Sequence, residues 1–284
     1  MSGATPDTGQ ASLAYETHGD GVPVVLLHGL TFDRRTWRPI IERLGGEVRS
    51  IAIDLPGHGE TGGPGCGLDE AAARINATLR RIEVDAPIIV GHSMSGGIAM
   101  MYAAAYPVRG VVDVDQTMNM RPFAELVQRL EPALRGNGFA SVFNTFQASM
   151  GLDQLSEPLR SMVLETQNIN QDIVLQYWDE VLRSDPVQLQ RRVEGILQAV
   201  EGPCLCVFGQ VLPADDREDL QRLPDVQLEE WPDRGHFVHL AEPDRFSARL
   251  HAFVAHCTES PRPQSGRALP YPQHNRPSGA VVEV

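Results

Sequence analysis

Residues 87–97 read Pro-Ile-Ile-Val-Gly-His-Ser-Met-Ser-Gly-Gly. Three β-branched apolar residues after a proline predict a short, fully buried strand that stops at Gly91. From residue 95 to 106 the chain is rich in Ala, Gly and Met and ends at Pro107, which predicts a small-residue helix. Between strand and helix stands Gly91-His92-Ser93-Met94-Ser95, the G-x-S-x-G pattern with Ser95 in place of its last glycine. The physical need is a sharp turn that lifts a serine oxygen above the sheet. The backbone at that serine is strained, so its neighbours must be small, and Ser95 is small enough. The first N–H groups of the following helix then favour an oxyanion. Ser93 is the candidate nucleophile. A turn serine that merely caps a helix is the alternative reading, and the strand before it and helix after it speak against that.

Working outward, the same alternation recurs. Residues 22–27, 48–53, 111–114, 205–208 and 226–228 are short apolar runs that read as strands, and 11–17 reads as an edge strand. Residues 37–44, 68–82 (with Asp69 as a start) and 246–253 read as helices. Strands separated by helices imply a parallel sheet covered on both faces. Residues 116–200 break the rule. They hold no convincing strand, and 121–135, 156–168 and 172–183 read as helices. A helical insertion between two sheet strands, placed above the strand ends, is a cap over the place where open α/β sheets bind ligands. The expected organisation is a sheet core over 11–115 and 201–257, a helical cap over 116–200, and a Pro/Gly/Ser/Arg-rich flexible extension over 258–284, with 1–10 a loose leader.

Composition narrows the function classes. The chain has 284 residues, 42 % hydrophobic and 21 % charged, enough for a large core without disulfide staples. All 24 basic residues are arginine and the net charge is −13, which weighs against a nucleic-acid surface and against anionic membranes. The four cysteines show neither metal-ligand spacing nor a disulfide framework; Cys204 and Cys206 lie on one face of a strand, too extended to bridge. No signal-peptide core or membrane span is apparent, so a cytoplasmic location is expected. No metal and no cofactor is required. The expected partner is a small-molecule substrate, with neither nucleic acid nor membrane, and the chain is a monomer or homodimer.

Other motifs surround Ser93. His28-Gly29-Leu30 follows the strand at 22–27, and Leu30 N–H with Met94 N–H are the two oxyanion-hole candidates. Asp54-Leu55-Pro56-Gly57-His58-Gly59 looks chemical but reads as a bend whose Asp54 and His58 hydrogen-bond the loop backbone. The candidate base is His236, in Asp233-Arg234-Gly235-His236-Phe237, beyond the last strand and before the last helix. His239, three residues on, reads as packing or capping.

Taken together, HGL at 28–30, DLPGHG at 54–59, GHSMSGG at 91–97 and GH at 235–236 resemble the α/β-hydrolase superfamily over about residues 11–256, less closely across the cap. The resemblance implies a mostly parallel eight-stranded sheet, with the cap inserted after the fourth parallel strand. It also implies a Ser–acid–His triad.

The acid is the open question. The commonest family arrangement puts an Asp about three residues beyond the glycine that ends the penultimate strand. Here those residues are Gln210-Val211-Leu212, and the next carboxylates, Asp215 and Asp216, fit a capping box with Glu218. The preferred acid is Asp115, at the end of the strand at 111–114, the position used by haloalkane dehalogenases and zearalenone-type lactonases. Asp113 and Asp115 fall on one side by strand periodicity, so Asp113, Asp215 and Asp216 remain alternatives.

The chemistry implied is acyl transfer to water. His236 accepts the Ser93 proton as Ser93 attacks an ester-like carbonyl, and Asp115 supports the imidazolium. Phe32, Met118, Phe123, Phe143, Phe146 and Trp178 are the candidate substrate-binding residues, giving an apolar, moderately sized pocket. Arg121, early in the cap, is placed to reach a substrate carboxylate. The leading reading is a carboxylic-ester hydrolase or lactonase. The alternatives are a thioesterase of natural-product metabolism, a carbon–carbon bond hydrolase, and a non-enzymatic ligand receptor on the same fold.

Overall fold

The computed structural model describes residues 12–259. The leader at 1–10 and nearly all of the extension at 258–284 lie outside the described residues. Seven strands form one sheet: β1 (Tyr15–His18), β2 (Val22–Leu27), β3 (Val48–Ile53), β4 (Ile88–His92), β5 (Gly110–Val114), β6 (Cys204–Phe208) and β7 (Val226–Glu230). Their spatial order is β1-β3-β2-β4-β5-β6-β7. Only β1 runs antiparallel, with Tyr15 opposite Ile53 and His18 opposite Ser50. The expected eight strands are therefore seven among the described residues. The first is shorter than 11–17 because only residues 15–18 register against β3.

The helices are α1 (Arg38–Leu44), α2 (Leu68–Arg81), α3 (Met94–Ala105), α4 (Met120–Arg135), α5 (Phe139–Ala148), α6 (Glu157–Glu165), α7 (Gln171–Tyr177), α8 (Asp179–Arg183), α9 (Pro186–Ala199), α10 (Ala214–Gln221), α11 (Val238–Ala241) and α12 (Pro243–Glu259). Strand alternation sends side chains into two cores. Val25, Leu27, Ile89, Val111 and Cys206 pack under α2 and α3, while Val24, Leu26, Val90, Val112 and Val207 pack under α1 and α12. Both faces are apolar because both are covered, as parallel strands require. The edge strand β7 reads Val-Gln-Leu-Glu-Glu and is half-buried, a polar edge that discourages further pairing.

Between β5 and β6 the described chain is all helical, α4 to α9. Two of these helices, α5 and α9, were not apparent in the sequence. The start of α9 carries a readable signal: Asp185 accepts from the N–H groups of Val187 and Gln188, with Pro186 in the first turn. The helix expected over 172–183 is two helices, α7 and α8, meeting at Trp178. The capping box expected at Asp215 is absent. Pro213 is the N-cap of α10 and no side chain caps it.

The strand order reverses around β2: the chain passes from β2 outward to β3, then crosses back to β4 on the other side. The crevice at this switch lies above the carboxyl ends of β2 and β4, the expected ligand position in an open α/β sheet. Leu27 pairs with Gly91 at this end, so the loops carrying Leu30 and Ser93 emerge side by side.

Candidate active site

Ser93 leaves β4 with φ +56° and ψ −136°, in the region that non-glycine residues rarely adopt. Two contacts hold it there. Its N–H donates to Val114 O at 2.9 Å, and its carbonyl accepts from Gly96 N at 2.6 Å. Ser95, where the pattern has glycine, is fully buried and donates its hydroxyl to His28 O, tying the Ser93 turn to the His28 loop. The two loops approach closely: a Cβ on Gly29 would lie 3.1 Å from His92 Nδ1 and 3.4 Å from Ser93 Cβ. Met94 is the first residue of α3, so its N–H has no acceptor within the helix. Leu30 and Met94 both line the cavity that Ser93 faces.

The loop after β7 brings in His236. Its backbone N–H donates to Met150 O at 2.9 Å, so the helical segment between β5 and β6 helps to hold this loop. Its Nδ1–H donates to Asp115 Oδ2 at 2.7 Å, while Asp115 Oδ1 accepts from Gly209 N at 2.8 Å. Because a carboxylate can only accept, Nδ1 carries the proton and Nε2 is left with a free lone pair. His236 and Ser93 line the same cavity.

Strand periodicity does not carry through to Asp115. Strand β5 ends at Val114, and Asp115 turns away with φ +60°. Asp113 instead lies fully buried against α3, its Oδ1 accepting from Gln116 N at 3.2 Å and its Oδ2 without a partner. Burial, then the Asp115 charge, pushes the Asp113 carboxyl well above the usual carboxylate range. Asp215 is exposed. Asp216 accepts from Thr117 Oγ1 at 2.7 Å and Asn119 Nδ2 at 2.9 Å, stapling the chain after β5 to α10. Of the four candidate acids, Asp115 is the one bonded to His236.

His28, His58, His92 and His239 are buried and woven into the scaffold. His28 Nε2 accepts from Leu55 N at 3.1 Å and His58 Nε2 from Thr31 N at 3.2 Å. Asp54 accepts from Arg34 N and Glu60 N, both at 2.8 Å, and pairs with the Arg34 guanidinium. His92 Nε2–H donates to His236 O at 2.9 Å and packs between His236 and His239. Burial depresses these imidazoles, to about 4 for His28 and about 3 for His58 and His239. Burial also pushes the thiols of Cys66, Cys204 and Cys257 up to about 12 and raises Cys206, so none is a poised nucleophile. Among the described residues no group of three or more His, Cys, Asp or Glu side chains is arranged to hold a metal ion. No described helix is long and apolar enough to cross a membrane.

The cavity has a volume of about 590 Å³. All six apolar residues named from sequence, Phe32, Met118, Phe123, Phe143, Phe146 and Trp178, line it. Trp178 is ringed by Phe123 at 5.5 Å, Phe146 at 5.8 Å and Phe143 at 6.3 Å between ring centroids. Six of the eight methionines line the cavity, Met118 among them; Met100 and Met101 escape a reading of the sequence because they sit on α3 and look like core. Arg121 does not enter. It is exposed and pairs with Glu125 along α4, which removes the suggestion that it reaches a substrate carboxylate.

The family model of the alpha/beta hydrolase family matches residues 24–249, and the chain belongs to that family. It is 28 % identical over 243 residues to 2-succinyl-6-hydroxy-2,4-cyclohexadiene-1-carboxylate synthase of Serratia proteamaculans, covering 81 % of this chain and 92 % of the relative. Among solved structures it is similar to a thermophilic esterase from Thermogutta terrifontis, with a TM-score of 0.66, 23 % identity, and 89 % and 96 % of the two chains covered. The enol-lactonase from Burkholderia xenovorans is comparable in shape, with a TM-score of 0.65 at 16 % identity, and 86 % and 96 % covered. At these identities the structural likenesses speak for the fold.

Proposed function

We propose that this chain is a serine hydrolase that cleaves a carboxylic ester or lactone of moderate size and apolar character through an acyl-enzyme. Ser93 is the nucleophile and His236 the general base. Asp115 orients His236 and stabilises its charged form, and the N–H groups of Leu30 and Met94 hold the oxyanion. Residues 116–200 serve as the cap that closes the pocket. The observation that carries the reading is the 2.7 Å hydrogen bond from His236 to Asp115, made in the same cavity as a Ser93 held at φ +56°.

His236 Nε2 takes the Ser93 proton as Oγ attacks the ester carbonyl. The tetrahedral intermediate collapses as His236 gives that proton to the leaving alcohol. Water, deprotonated by His236, then releases the acid. The test is turnover of an uncharged p-nitrophenyl ester. Ser93→Ala abolishes it, and Asp115→Asn lowers kcat by about 10³–10⁴-fold by spoiling the His236 tautomer, while Asp215→Asn stays near wild type. A near-wild-type Asp115→Asn beside a collapsed Asp215→Asn refutes the acid assignment. A second reading, favoured by the likeness to the Serratia synthase, is a reaction other than ester hydrolysis on the same three groups. Absence of any Ser93-dependent ester cleavage favours it.

A further inference from the structure

Resting on the ester-hydrolase reading, we propose that the cavity selects uncharged, apolar acyl groups and rejects acyl groups that carry a carboxylate. The charge on its walls is one-sided. Asp115, Glu180 and Asp216 line it, and no arginine does among the described residues; the chain has no lysine. The basic lining residue, His236, has its Nδ1–H committed to Asp115.

The cations that touch residues of this wall are already matched: Arg217, which donates to Leu212 O, pairs with Glu230. Arg192 pairs with Glu180 and stands 4.0 Å from Asp69, so one positive charge faces two carboxylates. Several neutral donors of the wall are occupied too, although the Gln210 amide is not among them. Thr117 Oγ1 and Asn119 Nδ2 both donate to Asp216, and Gln116 Nε2 donates to Thr117 O at 2.8 Å. A carboxylate entering here gives up its water, meets like charge, and finds no guanidinium fork to offset the loss. Most of the remaining wall is methionine sulfur, aromatic faces and aliphatic side chains, which adapt to an uncharged chain or ring. This separates the chain from its Serratia relative, whose name specifies a carboxylate compound. Recognition of such a group ordinarily calls for an arginine that this cavity does not present.

The experiment uses the full chain and three acyl probes at pH 7.5: p-nitrophenyl hexanoate, the p-nitrophenyl monoester of glutarate, and its methyl ester, which has the same length without the charge. The expected kcat/KM for the charged glutarate is at least about 100-fold below that of its methyl ester, which behaves like the hexanoate. Glu180→Gln, which frees Arg192 from one of its two acids, narrows that ratio by about 3- to 10-fold. The ratio within each variant cancels any general loss of activity or fold. Equal kcat/KM for the charged and methylated glutarates, with cleavage still dependent on Ser93, overturns the selectivity and leaves the hydrolase reading standing. A ratio unmoved by both Glu180→Gln and Asp216→Asn overturns its electrostatic origin. Hydrolysis of no probe, or hydrolysis indifferent to Ser93→Ala, overturns the hydrolase reading itself.

Discussion

His239 offers a direct test of how the site's scaffold is built. It is fully buried, its ring 4.6 Å from both Trp37 and His92 and 5.8 Å from Phe246, and neither ring nitrogen has a hydrogen-bond partner. Burial, then the neighbouring His236, brings its pKa down to about 3. A histidine depressed in the fold is neutral in both states above about pH 6.5, so it contributes no pH dependence there. As pH falls from about 6.5 toward about 3, the unfolded chain takes up a proton that the folded chain refuses, and stability is lost. At pH 5 that loss is about 2 kcal/mol for this one side chain.

His239→Phe keeps an aromatic ring in the stack and removes the titration. Repacking a slightly larger ring and relieving two unpaired nitrogens change stability by amounts that oppose one another, each about 1–3 kcal/mol, and both are independent of pH. They cancel when pH values are compared. Urea unfolding of wild type and variant at pH 7 and pH 5 therefore isolates the proton linkage. The variant gains about 2 kcal/mol relative to wild type on going from pH 7 to pH 5. A differential below about 0.5 kcal/mol refutes the picture of a buried neutral imidazole. In the wild type His28, His58 and His92 act in the same direction as His239, while Asp113, whose pKa is raised, offsets them by holding its proton in the fold.

Two further substitutions probe the Ser93 turn. Ser95→Ala removes the buried hydroxyl that donates to His28 O; a destabilisation of about 1–3 kcal/mol in urea is expected, and unchanged stability shows that the bond does not hold the loops. Gly96→Ala drives a methyl into the Asp113 carboxyl and to 2.7 Å from Gln116 Cβ. Thermal unfolding should report a loss of about 1–3 kcal/mol, together with a lower kcat as the Asp115–Gln116 turn shifts.

Local chemistry made much of this protein readable in one dimension. Apolar runs of four to six residues had to be strands buried on both faces, and a glycine-bounded serine between strand and helix had to sit in a strained turn. A histidine in a glycine loop past the last strand had to lie over the strand ends. Those are short-range constraints, so Ser93 and His236 stood out without coordinates. The helix α5 did not, because it carries no charge and lacks a capping side chain at its start, so only packing against its neighbours marks its limits, whereas α9 does carry the Asp185-Pro186 start signal.

The partner of His236 is a different kind of fact. Asp113, Asp115, Asp215 and Asp216 are equivalent as letters, and periodicity even pairs the first two. Their fates are decided through space by the left-handed turn at Asp115, the Gly209 N–H that donates to one of its oxygens, and the Met150 carbonyl that holds the His236 loop, which brings together two residues 121 apart in sequence. The same holds for the charge inside the cavity. Composition counts 24 arginines, but only the folded arrangement turns Arg121 outward, commits Arg192 to acids, and leaves, among the described residues, an apolar chamber edged with carboxylates and lined by no arginine. Hydrogen bonds and Coulomb interactions act over a few ångströms, and which groups come within that range is a property of the packed chain.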